Sequence, residues 1–211
     1  MTAPRAASDR VELVATVLLA LAAVATAWSS YQATRWNGEQ AIAAGRANAA
    51  RVEASRAQGL AEFQQQVDVA TFIQWVDATA AGDETVADFY EQRFRPEFKP
   101  AFEAWTATDP LEDPDAPPTP FAMPEYKLSA TTDERRADVV AKAEADAVHR
   151  NVVRASDYVL GVVLFATTLF FAGLSTRLTS PRVRWSALAL GWVVFVGAVG
   201  WMLTFPVSFT V

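Results

Sequence analysis

The sequence of 211 residues contains no cysteine and a single histidine. Without cysteine the chain has no disulfide, no thiolate metal site, no iron–sulfur cluster and no cysteine nucleophile. One histidine cannot build the multi-histidine sites that hold catalytic zinc. These absences exclude several classes of enzyme and redox protein.

Charge is absent from three long stretches of the sequence. No charged residue occurs from Leu13 to Thr34, from Tyr158 to Thr176, or from Trp185 to the C-terminus. About 20 apolar residues in a helix cross the roughly 30 Å of hydrocarbon in a bilayer, and a backbone in lipid must satisfy its own hydrogen bonds. The sequence therefore predicts an all-α integral membrane protein, with membrane lipid as a partner and transmembrane helices at 13–34, 157–176 and 185–205.

The first apolar stretch also has features of a secretory signal peptide. Arg5 and Arg10 precede it, and the small residues Ala25-Thr26-Ala27 fit a cleavage site. We favour an uncleaved anchor because the following sequence continues as a helix without a break.

The arginines of the connection 177–184 predict the orientation. Arg177, Arg182 and Arg184 lie there with no acidic residue, and such short basic loops stay in the cytoplasm. Residues 1–12 are then also cytoplasmic, whereas 35–156 and the C-terminal 206–211 are extracytoplasmic. The expected location is the bacterial plasma (inner) membrane, with a multi-pass chain.

The segment 35–156 is the only large hydrophilic region. Residues 30–155 contain 13 basic and 21 acidic residues, a net charge of about −8, which argues against nucleic acid as a partner. No proline occurs from 31 to 81, which predicts one long helix. Within it, Leu60, Phe63, Val67 and Ala70 form a heptad-like seam that Phe72, Ile73 and Val76 extend.

Aromatic residues concentrate in the segment 83–108, the predicted tip. Tyr90, Phe94, Phe98 and Phe102 are four residues apart, with Trp105 next. This spacing marks one helix face, so we expect a core cluster more than a ligand cage. Pro96 and Pro100 predict two short helices instead of one.

The segment 109–124 contains six prolines in 16 residues, which predicts an extended loop. Its acidic residues lack the spacing of an EF-hand, so a solvated loop is favoured over a calcium site. A return helix, 131–156, is expected to begin at a capping box of Thr131 and Glu134 and to run into the second transmembrane helix. Together these elements predict a long antiparallel helical hairpin that projects outside the membrane.

No catalytic or cofactor motif is present. The sequence has no G-x-S-x-G, no H-E-x-x-H and no glycine-rich phosphate loop. His149 lies in a charged stretch and fits an exposed residue better than a proton sensor. We therefore predict no enzyme activity, no cofactor and no metal. At the outer boundary, Arg35 and Asp157 end their transmembrane helices and are predicted to form an ion pair.

Three functions remain open at this point. The leading hypothesis is a non-enzymatic protein that acts through protein–protein contacts, as a homo-oligomeric scaffold or an accessory subunit of another membrane protein. The second is a homo-oligomeric cation channel lined by the first transmembrane helix, with Thr16, Thr26 and Ser30 as candidate pore residues. The third is a small-ligand sensor at the aromatic tip, with Trp75 and the tip aromatics around its pocket.

Three stretches of the sequence carry a resemblance: AWSSYQATRWNGEQA, EQRFRPEFKPAFEAW and DPLEDPDAPPTPFAMPEY. Together with the layout of one span, a helical extracytoplasmic hairpin and two closing spans, they resemble a family of uncharacterised membrane proteins from high-GC bacteria. The resemblance implies a location in the membrane and no particular activity.

Overall fold

The computed structural model describes residues 3–110 and 112–208, with side chains from Arg10 onward. The predicted end segments 1–12 and 206–211 lie partly outside this range. Five α-helices and one 3-10 turn are present, and the described residues contain no strand. The elements are α1 (Ala3–Ala80), α2 (Glu84–Gln92), α3 (Lys99–Thr106), the turn Pro120–Ala122, α4 (Ser129–Arg177) and α5 (Pro181–Met202).

The helices α1, α4 and α5 are long and apolar enough to cross a membrane. The prediction of an all-helical protein with three such helices is thereby confirmed. The helix ends differ from the predicted membrane boundaries, because charge ends an apolar span without ending a helix. Thus α5 begins at Pro181, four residues before the predicted span, since proline is well tolerated in a first turn.

The chain divides into two compact units, described separately below. Unit 1 comprises 1–45 and 144–211, and unit 2 comprises 46–143. In unit 1, one buried cluster joins Val11, Ala15 and Leu18 to Ala172 and Leu188. A second joins Ala33 and Trp36 to Ala155 and Tyr158.

Unit 1 buries small residues where its helices meet. A β-carbon at Gly191 of α5 would lie 3.2 Å from Leu18 Cδ2 and 3.5 Å from Phe171 Cβ, so glycine permits this close approach. Unit 1 also buries Leu18, Leu188 and Phe165, but many of its large apolar side chains are directed outward, among them Leu13, Val24, Phe170 and Val193, which are 63–70% exposed. This distribution is the one expected of helices whose outer surface faces hydrocarbon.

Unit 2 has a core of large aromatic side chains. Gly82, with φ +73°, follows the end of α1, a conformation that glycine adopts without strain. Asp83 then caps α2 by accepting a hydrogen bond from the Val86 backbone N–H at 3.1 Å. The two short helices expected from the prolines are present as α2 and α3, and they pack on α1 through aromatic rings of Phe72, Phe94, Phe98, Phe102 and Trp105.

The predicted capping box at Thr131 is wrong. The helix α4 begins at Ser129, two residues earlier. The carboxylate of Glu97, from the link between α2 and α3, accepts the Ser129 backbone N–H at 3.0 Å. An acid from another element thus takes the role that Glu134 was expected to play, because it reaches an N–H group that the helix leaves unpaired.

Candidate functional site

The aromatic residues of the predicted tip form one packed cluster in unit 2. Phe94, Phe98 and Phe102 are at most 3% exposed, and Trp105 is 6% exposed. Their rings meet edge to face, with Phe94 and Phe102 at 4.8 Å and Trp75 and Phe102 also at 4.8 Å between centroids. Tyr90 and Trp75 pack against this cluster and are partly exposed. Most of these rings therefore serve as core.

A buried carboxylate, which the sequence analysis did not single out, lies beside this aromatic cluster. Asp68 of α1 is fully buried. Its Oδ2 accepts hydrogen bonds from Arg95 Nη1 at 2.9 Å and from the Tyr126 hydroxyl at 3.0 Å. Arg95 also donates to Glu97, which binds the first residue of α4. One polar chain thus connects α1, the α2–α3 link and the start of α4.

The environment of this network shifts its proton affinities in different directions. Burial raises the pKa of Asp68 above its ordinary value, against the opposing hydrogen bond from Tyr126 and charge of Arg95. Hydrogen bonds from Ser129 lower the pKa of Glu97. Burial and the neighbouring Asp68 carboxylate raise the pKa of Tyr126, so its hydroxyl stays a donor. Asp68 Oδ1 and Gln64 Oε1, one turn apart on α1, are buried without a hydrogen-bond partner.

A groove opens at the edge of the aromatic cluster. One cavity of about 430 Å³ is lined by Phe72, Trp75, Val76, Thr79, Ala80, Trp105, Pro110 and Pro118. A second, of about 250 Å³, shares Trp75, Trp105 and Pro110 and adds Thr106, Asp109 and Glu112. We refer to the two together as the tryptophan groove. Tyr90 and Phe94, which were predicted to line a tip pocket with Trp75 and Trp105, are absent from its lining.

Most of the predicted heptad seam on α1 faces away from the core of unit 2, but Val67 is half-buried and Phe72, predicted to extend the seam, lies in that core. Leu60 is 50% exposed, Phe63 63% and Ile73 49%, and Ala70 is also exposed. The opposite face of the helix is occupied by Ala57, Ala61, Asp68 and Phe72, which are buried. We call the set Leu60, Phe63, Ala70 and Ile73 the outer stripe. The outer stripe is therefore an exposed apolar surface of unit 2.

The predicted ion pair of Arg35 with Asp157 is not formed. Within the described residues, no side-chain nitrogen of Arg35 lies within 4 Å of a carboxylate oxygen of Asp157. The neighbouring Tyr158 and Ala155 occupy the buried face of α4, while Arg154 stacks on the Trp36 ring at 4.5 Å. The cation–π contact at this level of unit 1 thus involves Arg154 and Trp36, not Arg35 or Asp157.

A buried glutamine that the sequence analysis did not single out lies near Arg35. Gln32 is fully buried in unit 1, and its amide donates to the carbonyl of Ser208 at 3.3 Å and accepts the Ser208 N–H at 3.1 Å. The Tyr158 hydroxyl donates to the carbonyl of Pro206 at 3.1 Å. These bonds hold the segment after α5 against α1 and α4.

The candidate pore residues lie along α1 in unit 1. The hydroxyls of Thr16 and Thr26 donate to carbonyls of the preceding turn, at 2.8 and 2.7 Å. Thr16 and Ser30 are exposed and Thr26 is half-buried, so all three lie off the most buried face of the helix. The arginines that predict the orientation lie around the α4–α5 connection, where Arg184 donates to the carbonyl of Ser175 at 3.2 Å.

Comparison with known proteins adds no relative. No protein family, curated protein or solved structure matched this chain. The resemblance to membrane proteins of high-GC bacteria therefore stays a prediction, and function is argued from the residues alone.

Proposed function

We propose that this protein is a non-enzymatic component of the bacterial plasma membrane that acts through protein–protein contacts, as a homo-oligomeric scaffold or an accessory subunit. The helices α1, α4 and α5 would span the bilayer. The arginines at 177, 182 and 184 would hold the α4–α5 connection in the cytoplasm, with unit 2 outside. In unit 1, Val11 shares a cluster with Ala172, and the later Trp36 shares a cluster with the earlier Tyr158. Positions further along α1 thus meet positions further back in α4, which supports an antiparallel arrangement of the two helices.

The outer stripe carries this proposal. Its apolar side chains belong to the acidic, hydrophilic part of the chain, where lipid would not cover them. Contiguous apolar surface in water marks a contact site, and the 3–4 spacing of Leu60, Phe63, Val67 and Ala70 suits a second helix. The simplest partner is the same stripe of another copy, because two-fold assemblies bring identical surfaces together.

Native mass spectrometry of the protein released from nanodiscs tests the proposal. We expect the wild-type chain to be a dimer or higher oligomer. Phe63→Glu would place a charge in the outer stripe and should shift the population to monomer. The matched control is Val139→Glu on α4 of unit 2, since Val139 is as exposed as Phe63, at 64%, and lies outside the stripe.

The outcomes separate the alternatives. A strictly monomeric wild-type chain would contradict self-association. An equal loss of oligomer in both variants would show that the outer stripe has no special role. A closed ring of four or more copies would favour the cation channel, and liposome flux with Thr26→Val would then be the next measurement.

A further inference from the structure

The two tryptophans of the tryptophan groove meet at a steep angle. The ring planes of Trp75 and Trp105 are inclined at 77°, with centroids 6.3 Å apart. Trp105 is held in place because its indole N–H donates to the carbonyl of Pro117 at 2.7 Å. Phe72 packs edge to face on Trp105 at 5.4 Å. Both indoles are therefore fixed by the core and contribute to the lining of the groove, Trp75 with more of its surface than Trp105, which is 6% exposed.

Two carboxylates complete the lining. Asp109 and Glu112 lie in the smaller cavity with both tryptophans. The backbone of Asp109 has φ +50°, a conformation that aspartate and asparagine tolerate better than most residues. It is stabilised because its carbonyl accepts the N–H groups of Glu112 and Asp113, each at 2.9 Å. This turn brings both acids to the groove.

Among the residues that the structure describes, none that lines either cavity of the tryptophan groove is basic. The lining thus combines the two indole rings, two carboxylates and several apolar side chains. Unit 2 as a whole has 10 basic and 18 acidic residues, so its field also attracts cations. The described lining therefore offers an anionic ligand no opposite charge.

We infer that the tryptophan groove binds a freely diffusing organic cation, a quaternary or tertiary ammonium with an apolar substituent. Aromatic rings that face a common space recognise such ions through cation–π attraction, and tryptophan is the strongest of the rings. The ammonium group would lie in the smaller cavity between the two tryptophans and the carboxylates of Asp109 and Glu112. The apolar substituent would lie in the larger cavity, against Val76, Ala80 and Pro118.

The test uses the full-length protein in dodecyl maltoside, which has no ammonium group to compete. Choline, its uncharged carbon analogue 3,3-dimethylbutan-1-ol, and benzyltrimethylammonium are titrated while tryptophan fluorescence is recorded. We expect saturable binding of choline, at least about tenfold weaker binding of the uncharged analogue, and tighter binding of benzyltrimethylammonium. Lack of saturation by benzyltrimethylammonium up to about 10 mM, or equal affinity for the charged and uncharged analogues, would overturn the inference.

Matched variants locate the binding. Glu112→Gln should weaken binding of benzyltrimethylammonium about fivefold or more, and Trp75→Phe should weaken it several-fold. The control Asp115→Asn removes the same charge from the same loop outside the groove, and we expect the wild-type affinity. Equal weakening by Glu112→Gln and Asp115→Asn would mean general surface attraction and would contradict the site.

A lipid headgroup is the other source of a quaternary ammonium. Repeating the titration in nanodiscs of phosphatidylcholine distinguishes the two sources. An unchanged affinity for benzyltrimethylammonium supports a free ligand. A strong loss of affinity in those nanodiscs would overturn the assignment to a freely diffusing molecule, because the choline headgroup would then occupy the groove.

Discussion

Unit 1 and unit 2 both bury alanines, but they differ in where their large apolar side chains lie. Ala15 and Ala172 are fully buried in unit 1, while the large Phe170 is 63% exposed. Unit 1 also buries Tyr158 and Phe165, but unit 2 gathers Phe98 and four other rings into one buried cluster. In lipid, apolar side chains gain little from burial and helices associate through close packing of small residues. In water, burial of apolar area is the main driving force. We interpret this contrast as that of one unit suited to lipid and one suited to water, the two-solvent interpretation.

The sharpest way to break this comparison is to shorten one phenylalanine in each unit. Phe98→Ala removes a fully buried ring that contacts Phe94, Phe121 and Tyr126. We expect a loss of about 3–5 kcal/mol in the stability of unit 2, measured by urea unfolding in maltoside micelles with tryptophan fluorescence. Phe170→Ala is the matched control and should change stability by less than about 0.5 kcal/mol. Similar losses in both variants would contradict the two-solvent interpretation.

A smaller difference in stability should separate variants at two glycines of α5. Gly191→Leu would push a side chain against Leu18 and Phe171, whereas a β-carbon at Gly197 has nothing within 4 Å. We expect Gly191→Leu to cost about 1–3 kcal/mol, seen as a lower thermal midpoint of the protein in nanodiscs. Gly197→Leu should leave the midpoint nearly unchanged or raise it. If Gly197→Leu were the more damaging variant, close packing in unit 1 would have to lie on the other side of α5.

Periodicity and the distribution of charge were sufficient to predict the helices. The uncharged stretches located the apolar parts of α1, α4 and α5, and Pro96 and Pro100 predicted the separation of α2 from α3. The spacing of Phe94, Phe98 and Phe102 also predicted a shared face, because four residues make about one helical turn.

The polar contacts could not be predicted from the sequence in the same way. Asp68 lies seven residues after Ala61 and four before Phe72, on one helix face. That spacing was the available evidence of its burial, but its partners Arg95 and Tyr126 are 27 and 58 residues away. Likewise, Arg35 and Asp157 have the right charges, but the direction of each side chain depends on a packing register that the sequence does not reveal.

The smallest expected effect concerns pH, and it tests whether the polar network of unit 2 behaves as its burial predicts. Burial raises the pKa of Asp68 above the ordinary 3.8, so the folded chain holds this proton where the unfolded chain has released it. The stability that Asp68 contributes is present below pH 3.8. It is lost as the pH rises through the pKa of Asp68 in the folded protein. The lowered pKa of Glu97 acts in the opposite sense: its contribution is present above the ordinary 4.5 and is lost as pH falls.

Two isosteric variants separate the contributions of Asp68 and Glu97 to the slope of stability against pH. Relative to wild type, Asp68→Asn should lose stability more steeply on acidification, because the compensating proton uptake by Asp68 is gone. Glu97→Gln should lose stability less steeply, because the hydrogen bonds from Ser129 no longer weaken with protonation. Urea unfolding between pH 3 and 7, followed by tryptophan fluorescence, measures both slopes. If both variants changed the slope in the same direction, the carboxylates of Asp68 and Glu97 would titrate as one unit and the opposing shifts would be wrong.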